Sequence, residues 1–510
     1  MNPMVIAQTR PDHPATIMSG SGQVMTYAQL DDTARRFATV LRALGLRYGD
    51  HIALYVDNEI MYHPVAWGAW FAGLYFTPIS TRLTPEEVRY IIADSGSQLV
   101  IASPSHEAAM ATVRDAMPQV AHWYLTGPGT GLIPDIGPKI GAATPLEVGP
   151  SDRIGSDMLY SSGTTGRPKG IKPPLGATRD QPNPLAALLG KLYGFGPETR
   201  YLTPAPLYHG SPTKYSMAVH RFGGTNVIME KFDAEAALAT IARRGVTHSQ
   251  WVPTMLQRLY RLPDEVKTTY DLSSHRVAIH AAAPCPPELK RAMIAWWGPI
   301  VQEFYAGSEA AGYTAIDSAE WLERPGSVGR SVFGDLHILR DDGAEADIGE
   351  IGQIYFANGP KFEYHNDPEK TARAYNDRGW VTLGDMGRLD EAGYLYLADR
   401  KDFMIISGGV NVYPTEVENL LTMHPLIEDV AVFGLPHEDL GEAVVAVIQP
   451  RAWPQDEAAF IADIDAFCRD RLSRIKSPRR IELARELPRQ PNGKLYKKGL
   501  REQYLKAVAT

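Results

Sequence analysis

One stretch of the chain concentrates groups that bind oxyanions. Tyr160-Ser161-Ser162-Gly163-Thr164-Thr165-Gly166-Arg167-Pro168-Lys169-Gly170 carries four serine and threonine hydroxyls, three glycines and two cations within eleven residues. Glycines let backbone N–H groups approach a ligand closely. Hydroxyls and those N–H groups bind phosphate oxygens, and Arg167 and Lys169 balance the charge. The spacing is not that of a Walker A loop. The plain alternative is a flexible surface turn, the usual fate of a Gly/Ser/Thr-rich loop.

Further segments pair chemically useful residues with glycine. Phe304-Tyr305-Ala306-Gly307-Ser308-Glu309 sets an aromatic ring and a hydroxyl beside a carboxylate, the oxygen donor that a hard cation needs. Thr382-Leu383-Gly384-Asp385 and Asp399-Arg400-Lys401-Asp402 add carboxylates and a guanidinium. Ser407-Gly408-Gly409 precedes Pro414-Thr415-Glu416, and Pro491-Asn492-Gly493-Lys494 lies near the end of the chain. Tyr208-His209-Gly210 is an aromatic pair at a glycine. Taken singly, each is more often a turn, a surface ion pair or a core contact.

Taken together and in order, these segments resemble the motifs of the adenylate-forming superfamily: acyl-CoA synthetases, peptide-synthetase adenylation domains and beetle luciferases. The resemblance runs from about Thr26 to Lys494 and points to the acyl-CoA synthetase branch. It implies a phosphate loop contributed by Ser161, Ser162, Gly163, Thr164, Thr165, Gly166 and Lys169. It implies that Tyr305 stacks on adenine, Ser308 contacts phosphate and Glu309 holds Mg²⁺. Asp385 would bind the ribose hydroxyls, Arg400 would reach the nucleotide, and Asp402 matches a hinge position. Gly408 and Gly409 would line the path of the pantetheine arm. Lys494 would bridge the substrate carboxylate and the α-phosphate, and so act on the adenylation transition state. His209 would be a gate or wall, and the acid pocket would involve His209, Tyr215, Trp251, Ala281 and Gly307. Ala306 and Ser308 stand where glycine and threonine are more usual, which are mild departures.

The elements that must position these groups are legible in part. Thr26 and Gln29 form a capping-box pattern, and Leu30, Ala34, Phe37, Leu41 and Leu44 then line one helix face up to Gly45. Strand-like runs follow at His51–Val56 and Gln98–Ala102, with a second capped helix opening at Thr84, Pro85 and Glu87 between them. Arg276–Ala282 and Ile300–Tyr305 also read as strands. Strands alternating with helices predict an α/β fold with mostly parallel sheets. After about residue 330 the texture becomes β-rich, with short strands at Gly352–Phe356, Tyr394–Ala398, Asp429–Phe433 and Ala443–Ile448, and a helix capped by Thr415 and Glu418. The expected architecture is a large N-terminal α/β domain with a β-rich part, residues 1–401, and a small mobile α+β C-terminal domain, residues 402–510. The first would bind AMP and the acyl group, and the second would carry the catalytic lysine.

Composition bounds the rest. With 510 residues, 44% hydrophobic and 22% charged, the chain is globular and too long for a single core. A net charge of −8 argues against nucleic acid as a partner. The charge is uneven: Arg471–Thr510 holds twelve Lys/Arg against three Asp/Glu. That tail reads either as a solvated helical face or as a landing site for a polyanionic small molecule. Cys285 and Cys468 lie in no CxxC or Cys/His cluster, so zinc is not expected. The longest apolar run, Pro64–Phe76, is shorter than the ~20 residues of a membrane span. No signal-peptide pattern is seen, and a cytoplasmic enzyme is expected.

The function expected is therefore ATP-dependent activation of a carboxylic acid as acyl-AMP with release of pyrophosphate, followed by transfer to coenzyme A. ATP, Mg²⁺ and coenzyme A are the expected cofactors and co-substrates. His209-Gly210-Ser211-Pro212-Thr213-Lys214-Tyr215 lacks the aspartate with which amino-acid-activating domains hold an α-amino group. Two alternatives stay open: delivery of the acyl group to a carrier protein, and a non-catalytic adenylate-binding protein. The acid expected is aliphatic or arylalkanoic and of medium size, because the Ala281 methyl narrows a slot where aryl-acid ligases often have glycine. Oligomeric state leaves no trace in the sequence, and a homodimer stays open.

Overall fold

A computed structural model describes residues 1–161, 168–489 and 495–508. The chain forms two compact units: Met1–Trp251 with Leu262–Ile279 and Lys361–Ala372, and Val252–Arg261 with His280–Pro360 and Arg373–Thr510.

The first unit holds parallel sheets between helices. One sheet runs in the order His122–Leu125, Ser97–Ala102, His51–Tyr55, Tyr75–Pro78, Ser156–Asp157, all parallel. In another, His248–Trp251, Arg200–Thr203, Thr225–Ile228 and Pro14–Met18 lie parallel, with Val24–Thr26 as an antiparallel edge. The helix Tyr27–Ala43 begins with the capping box expected of Thr26 and Gln29, and Leu30, Ala34, Phe37 and Leu41 are buried. The apolar run that starts at Pro64 belongs to the helix Tyr62–Ala72, every residue of which is buried. The two helices approach closely at Gly68, where a Cβ would stand 2.6 Å from the Phe37 ring and 2.7 Å from the Ala34 carbonyl. Removing the Phe37 ring from so tight a contact costs about 3–5 kcal/mol. The capping box at Thr84 and Glu87 also forms, opening the helix Pro85–Asp94.

The second unit is β-rich, as the change of texture predicts. Val301–Ala306, Tyr313–Ile316 and Arg330–Phe333 pair antiparallel. A four-stranded antiparallel sheet follows in the order Asp335–Leu339, Gly352–Ala357, Val381–Leu389, Leu395–Arg400.

The C-terminal part is the expected α+β arrangement. Its two longest strands, Ile427–His437 and Gly441–Pro450, outrun the sequence-based limits because their polar ends remain paired. Side chains alternate across this sheet. Val430, Val432, Val444, Ala446 and Ile448 pack with Val417, Leu421, Phe460 and Ile464 on one face. Ala431, Phe433, Val445 and Val447 pack with Leu487 and Leu500 on the other. Both faces being covered explains why these strands read as continuous apolar runs.

Two expectations change. The helix Pro414–Thr422 has no side-chain cap: Thr415 lies inside its first turn, and its N–H and hydroxyl both donate to Asp399 Oδ2 at 2.9 Å. Glu418 likewise does not cap; it accepts from the Val432 N–H and pairs with Lys497 at 2.8 Å. The basic tail is no single helical face. Arg480–Leu483 is a strand, and the helix Lys497–Val508 comes only afterwards. Much of its charge is paired, including Lys476 with Glu416, Arg489 with Asp429 and Arg501 with Glu442.

Candidate active site

The flanks of the Ser/Thr/Gly string expected to bind phosphate form two paired strands. Leu159–Ser161 and Lys169–Lys172 pair antiparallel, with Ser161 opposite Lys169. Ser162, Gly163, Thr164, Thr165 and Gly166 lie outside the described residues. The flanks are tied down on both sides. The Tyr160 hydroxyl donates to Asp94 Oδ2 at 2.7 Å, and Lys169 Nζ donates to Asp367 Oδ2 at 2.7 Å. Burial and the Asp94 carboxylate push the Tyr160 phenol far above its ordinary range.

In the second unit, four of the expected residues converge. Tyr305 ends the strand Val301–Ala306, and its hydroxyl donates to Asp385 Oδ2 at 2.6 Å. Arg400 stands opposite Asp385 in the register of two antiparallel strands, and its Nε lies 3.2 Å from Asp385 Oδ1. One carboxylate therefore joins residues that are 80 and 15 positions away in sequence. The Tyr305 ring stacks near Phe356, with centroids 6.2 Å apart. Burial and the Asp385 charge drive the Tyr305 phenol well above its ordinary value, so it remains a donor. Burial opposes the Arg400 charge, but Asp385, Tyr305 and Glu309 together raise it above its usual value. Glu309 thus lies within electrostatic reach of this cluster, while Ser308 is exposed. Gly307 has no room for a side chain: a Cβ would meet Glu309 Oε2 at 2.6 Å and Leu383 at 2.8 Å.

The segment after Asp385 has its own logic. Asp399 anchors Thr415, as above, and its Oδ1 accepts the Arg400 N–H at 2.7 Å. Asp402 is exposed in the short 3₁₀ turn Lys401–Phe403. Gly408 and Gly409 form the two-residue turn between Ile405–Ser407 and Val410–Val412, with φ of +56° and +78°. Such a hairpin needs left-handed backbone at both central positions, which glycine alone adopts freely. Lys494 lies outside the described residues; Arg489 and Leu495, on either side of it in sequence, pair antiparallel.

The expected acid-pocket residues fall in both units. His209 precedes the helix Gly210–Phe222, with its ring edge-on to Tyr208 at 4.8 Å. Its Nε2 is buried without a hydrogen-bond partner among the described residues, and burial lowers its pKa to about 4. The imidazole is therefore neutral near pH 7, which suits a wall better than a proton carrier. Tyr215 packs against Tyr193, Phe195 and Tyr201, and Trp251 is fully buried with its Nε1–H donating to Ser249. Ala281 is buried at the end of the strand Val277–His280, and Ala282 beyond it takes φ +80°, a strained backbone for a residue with a Cβ.

Sequence reasoning missed Asp94, Asp367, Ser211 and Gln250. Gln250 accepts from the Tyr201 hydroxyl at 3.1 Å and donates to Ser211 Oγ at 2.5 Å, just after His209-Gly210.

Within the second unit, Tyr305, Asp385 and Arg400 are thus joined through one carboxylate. A sequence profile described as "AMP-binding enzyme" matches residues 5–361, and one described as "AMP-binding enzyme C-terminal domain" matches residues 416–494. The chain belongs to the AMP-binding enzyme family. Among similar family members is a long-chain-fatty-acid–CoA ligase, FadD13, of Mycobacterium tuberculosis. It is 34% identical over 489 residues, covering 95% of this chain and 94% of that protein. A feruloyl-CoA synthase of an Amycolatopsis species is 32% identical over 500 residues, covering 96% of both chains. Among solved structures, ATP-bound MatB of Rhodopseudomonas palustris matches with a TM-score of 0.83 at 28% identity, covering 99% of this chain and 100% of that one.

Proposed function

We infer that the chain transfers the adenylyl group of ATP to a carboxylate and then transfers the activated acyl group to the thiol of coenzyme A. It is an AMP-forming acyl-CoA ligase. A carboxylate oxygen attacks the α-phosphorus of ATP and pyrophosphate leaves. The CoA sulfur then attacks the acyl carbonyl and AMP leaves. The observation that carries the reading is the Tyr305–Asp385–Arg400 cluster beside Glu309, in a chain that matches CoA ligases along nearly its whole length.

In this reading Asp385 keeps acceptor capacity for the two ribose hydroxyls, since a carboxylate offers about four lone-pair sites and Tyr305 and Arg400 use one on each oxygen. Tyr305 presents its ring to adenine. Among the described residues no group of three or more metal-ligating side chains exists, and Glu309 offers a single carboxylate. That donor set fits a Mg²⁺ ion that keeps its remaining places for water and phosphate oxygens. Bound there, Mg²⁺ shields the triphosphate charge from the approaching carboxylate. Lys494 stabilises the charge that develops between the acid and the α-phosphate, and Ser161 and Lys169 hold phosphate oxygens at the hairpin.

In this reading a small domain beginning at Asp402 serves the second half-reaction. Lys494 and the Gly408-Gly409 turn belong to the same small domain, and rotation about Asp402 presents them in turn. Arg469, Arg474 and Arg479 line a cleft of about 440 Å³ with Asp465, which suits the phosphates of CoA. The acid is aliphatic or arylalkanoic, with Ala281 narrowing the slot. ATP and CoA supply places the enzyme in the cytoplasm. The test is a CoA-thioester screen over short, medium, long and aromatic acids: one class should dominate kcat/KM, and absence of any thioester with every acid would refute the reading.

A further inference from the structure

The carboxylate of Asp367 makes two contacts that tie the phosphate hairpin to a helix. Its Oδ1 accepts the Lys370 N–H at 3.0 Å, capping the helix Pro368–Ala374. Its Oδ2 accepts from Lys169 Nζ at 2.7 Å. The chain before it is strapped to the same hairpin. Tyr364 pairs with Ile171, and the His365 N–H donates to the Gly170 carbonyl at 2.8 Å. Asn366, with φ +56°, turns the chain and donates from Nδ2 to the Asp94 carbonyl at 3.1 Å. Asp94 in turn accepts from Tyr160 on the opposite strand. Residues 363–367 therefore brace both edges of the hairpin, 198 positions from Lys169 in sequence.

We propose that Asp367 is a positioning residue for nucleotide binding, holding the Lys169 ammonium at the hairpin edge by one of its three N–H donors and leaving two for phosphate oxygens. The inference rests on the reading that Lys169 contacts the phosphates of ATP. A free lysine has a flexible four-carbon stem, and ordering it is a cost that binding must meet. Here the stem is already ordered. Asp367 cannot follow the ammonium elsewhere, because its other oxygen caps a helix. Lys169 is about a quarter exposed, so a ligand can still reach it.

Asp367→Asn keeps the capping oxygen and removes the charge; Asp367→Ser also keeps a cap. For both variants, the Kd of ATP by calorimetry and the KM for ATP should rise about tenfold, the lower end of the weight of one charge-assisted hydrogen bond. The KM for CoA and the melting temperature should stay at parental values, which separates positioning from a general loss of structure. An unchanged or tighter Kd for ATP would overturn the proposal and make Asp367 a bystander or a competitor. Lys169→Ala provides the reference. If it weakens ATP binding while the Asp367 variants do not, the positioning role alone fails. If it binds ATP like the parent, the reading of Lys169 as a phosphate contact fails, and the proposal with it.

Discussion

Tyr305→Phe isolates one bond in the nucleotide pocket. The change keeps the ring, and with it stacking on adenine, and removes only the hydroxyl that donates to Asp385 at 2.6 Å. A hydrogen bond to a charged group is worth about 1.5–3 kcal/mol. Arg400 still holds the other oxygen of Asp385 at 3.2 Å, so the carboxylate is loosened and not released. The lower end of the range applies, and about 1.5 kcal/mol is roughly tenfold in affinity. The Kd of ATP measured calorimetrically without acid or CoA should therefore rise about tenfold, with an unaltered circular dichroism spectrum. Because the phenol is held well above its ordinary pKa, the parental Kd should not change through tyrosine ionisation as the pH rises from neutral. A Kd in Tyr305→Phe equal to the parent's would refute the idea that the hydroxyl preorganises Asp385.

Other expectations follow from the same geometry. Glu309→Gln should nearly abolish pyrophosphate release at saturating Mg²⁺ while melting like the parent; parental release would remove Glu309 from the metal site. Lys494→Ala should block acyl-adenylate formation yet form thioester from supplied acyl-adenylate, whereas Asp402→Pro should adenylate and stall at transfer, because proline fixes φ at the pivot. Single-turnover kinetics of each half-reaction distinguish these, and equal loss of both steps in both variants would defeat domain rotation. Burial lowers His209 and His248 to about 4, and His220 and His275 to about 3. Their folded pKa values lie below the ordinary 6.5, so the unfolded chain takes up the protons more readily. Stability from each is complete above about pH 6.5 and falls by about 1.4 kcal/mol per pH unit as the pH drops toward its folded value. Melting scans from pH 7 to pH 4 should show this fall, and replacing His209 by Gln should make it shallower; an identical slope would contradict the assignment.

What the sequence disclosed follows the range of the interactions involved. Thr26 with Gln29 and Thr84 with Glu87 were legible because a capping box is closed within four residues. Gly408-Gly409 was read as room for a pantetheine arm, and the tight hairpin that gives both residues positive φ emerged only with the strands on either side. Tyr305, Asp385 and Arg400 could be named from motifs, but the bond between Tyr305 and Asp385 depends on strands that meet only in the folded chain. Thr415 was misread because its competing partner, Asp399, lies 16 positions upstream. Asp367 and Asp94 left no local trace of their work, since an aspartate that caps a helix looks the same whether or not its second oxygen holds a lysine. The basic tail misled for a similar reason: Glu416, Glu442 and Asp429, which pair with it, lie outside it in sequence.

Oxygen transfer tests the central claim most directly. In adenylation one carboxylate oxygen becomes the bridging oxygen to the α-phosphorus, and when the CoA thiol displaces AMP that oxygen leaves with the phosphate. An acid labelled with ¹⁸O in its carboxylate, turned over with ATP and CoA, should therefore yield AMP carrying one ¹⁸O and unlabelled pyrophosphate by mass spectrometry. Label in inorganic phosphate with ADP as co-product, or thioester formed with no label in AMP, would contradict an acyl-adenylate intermediate.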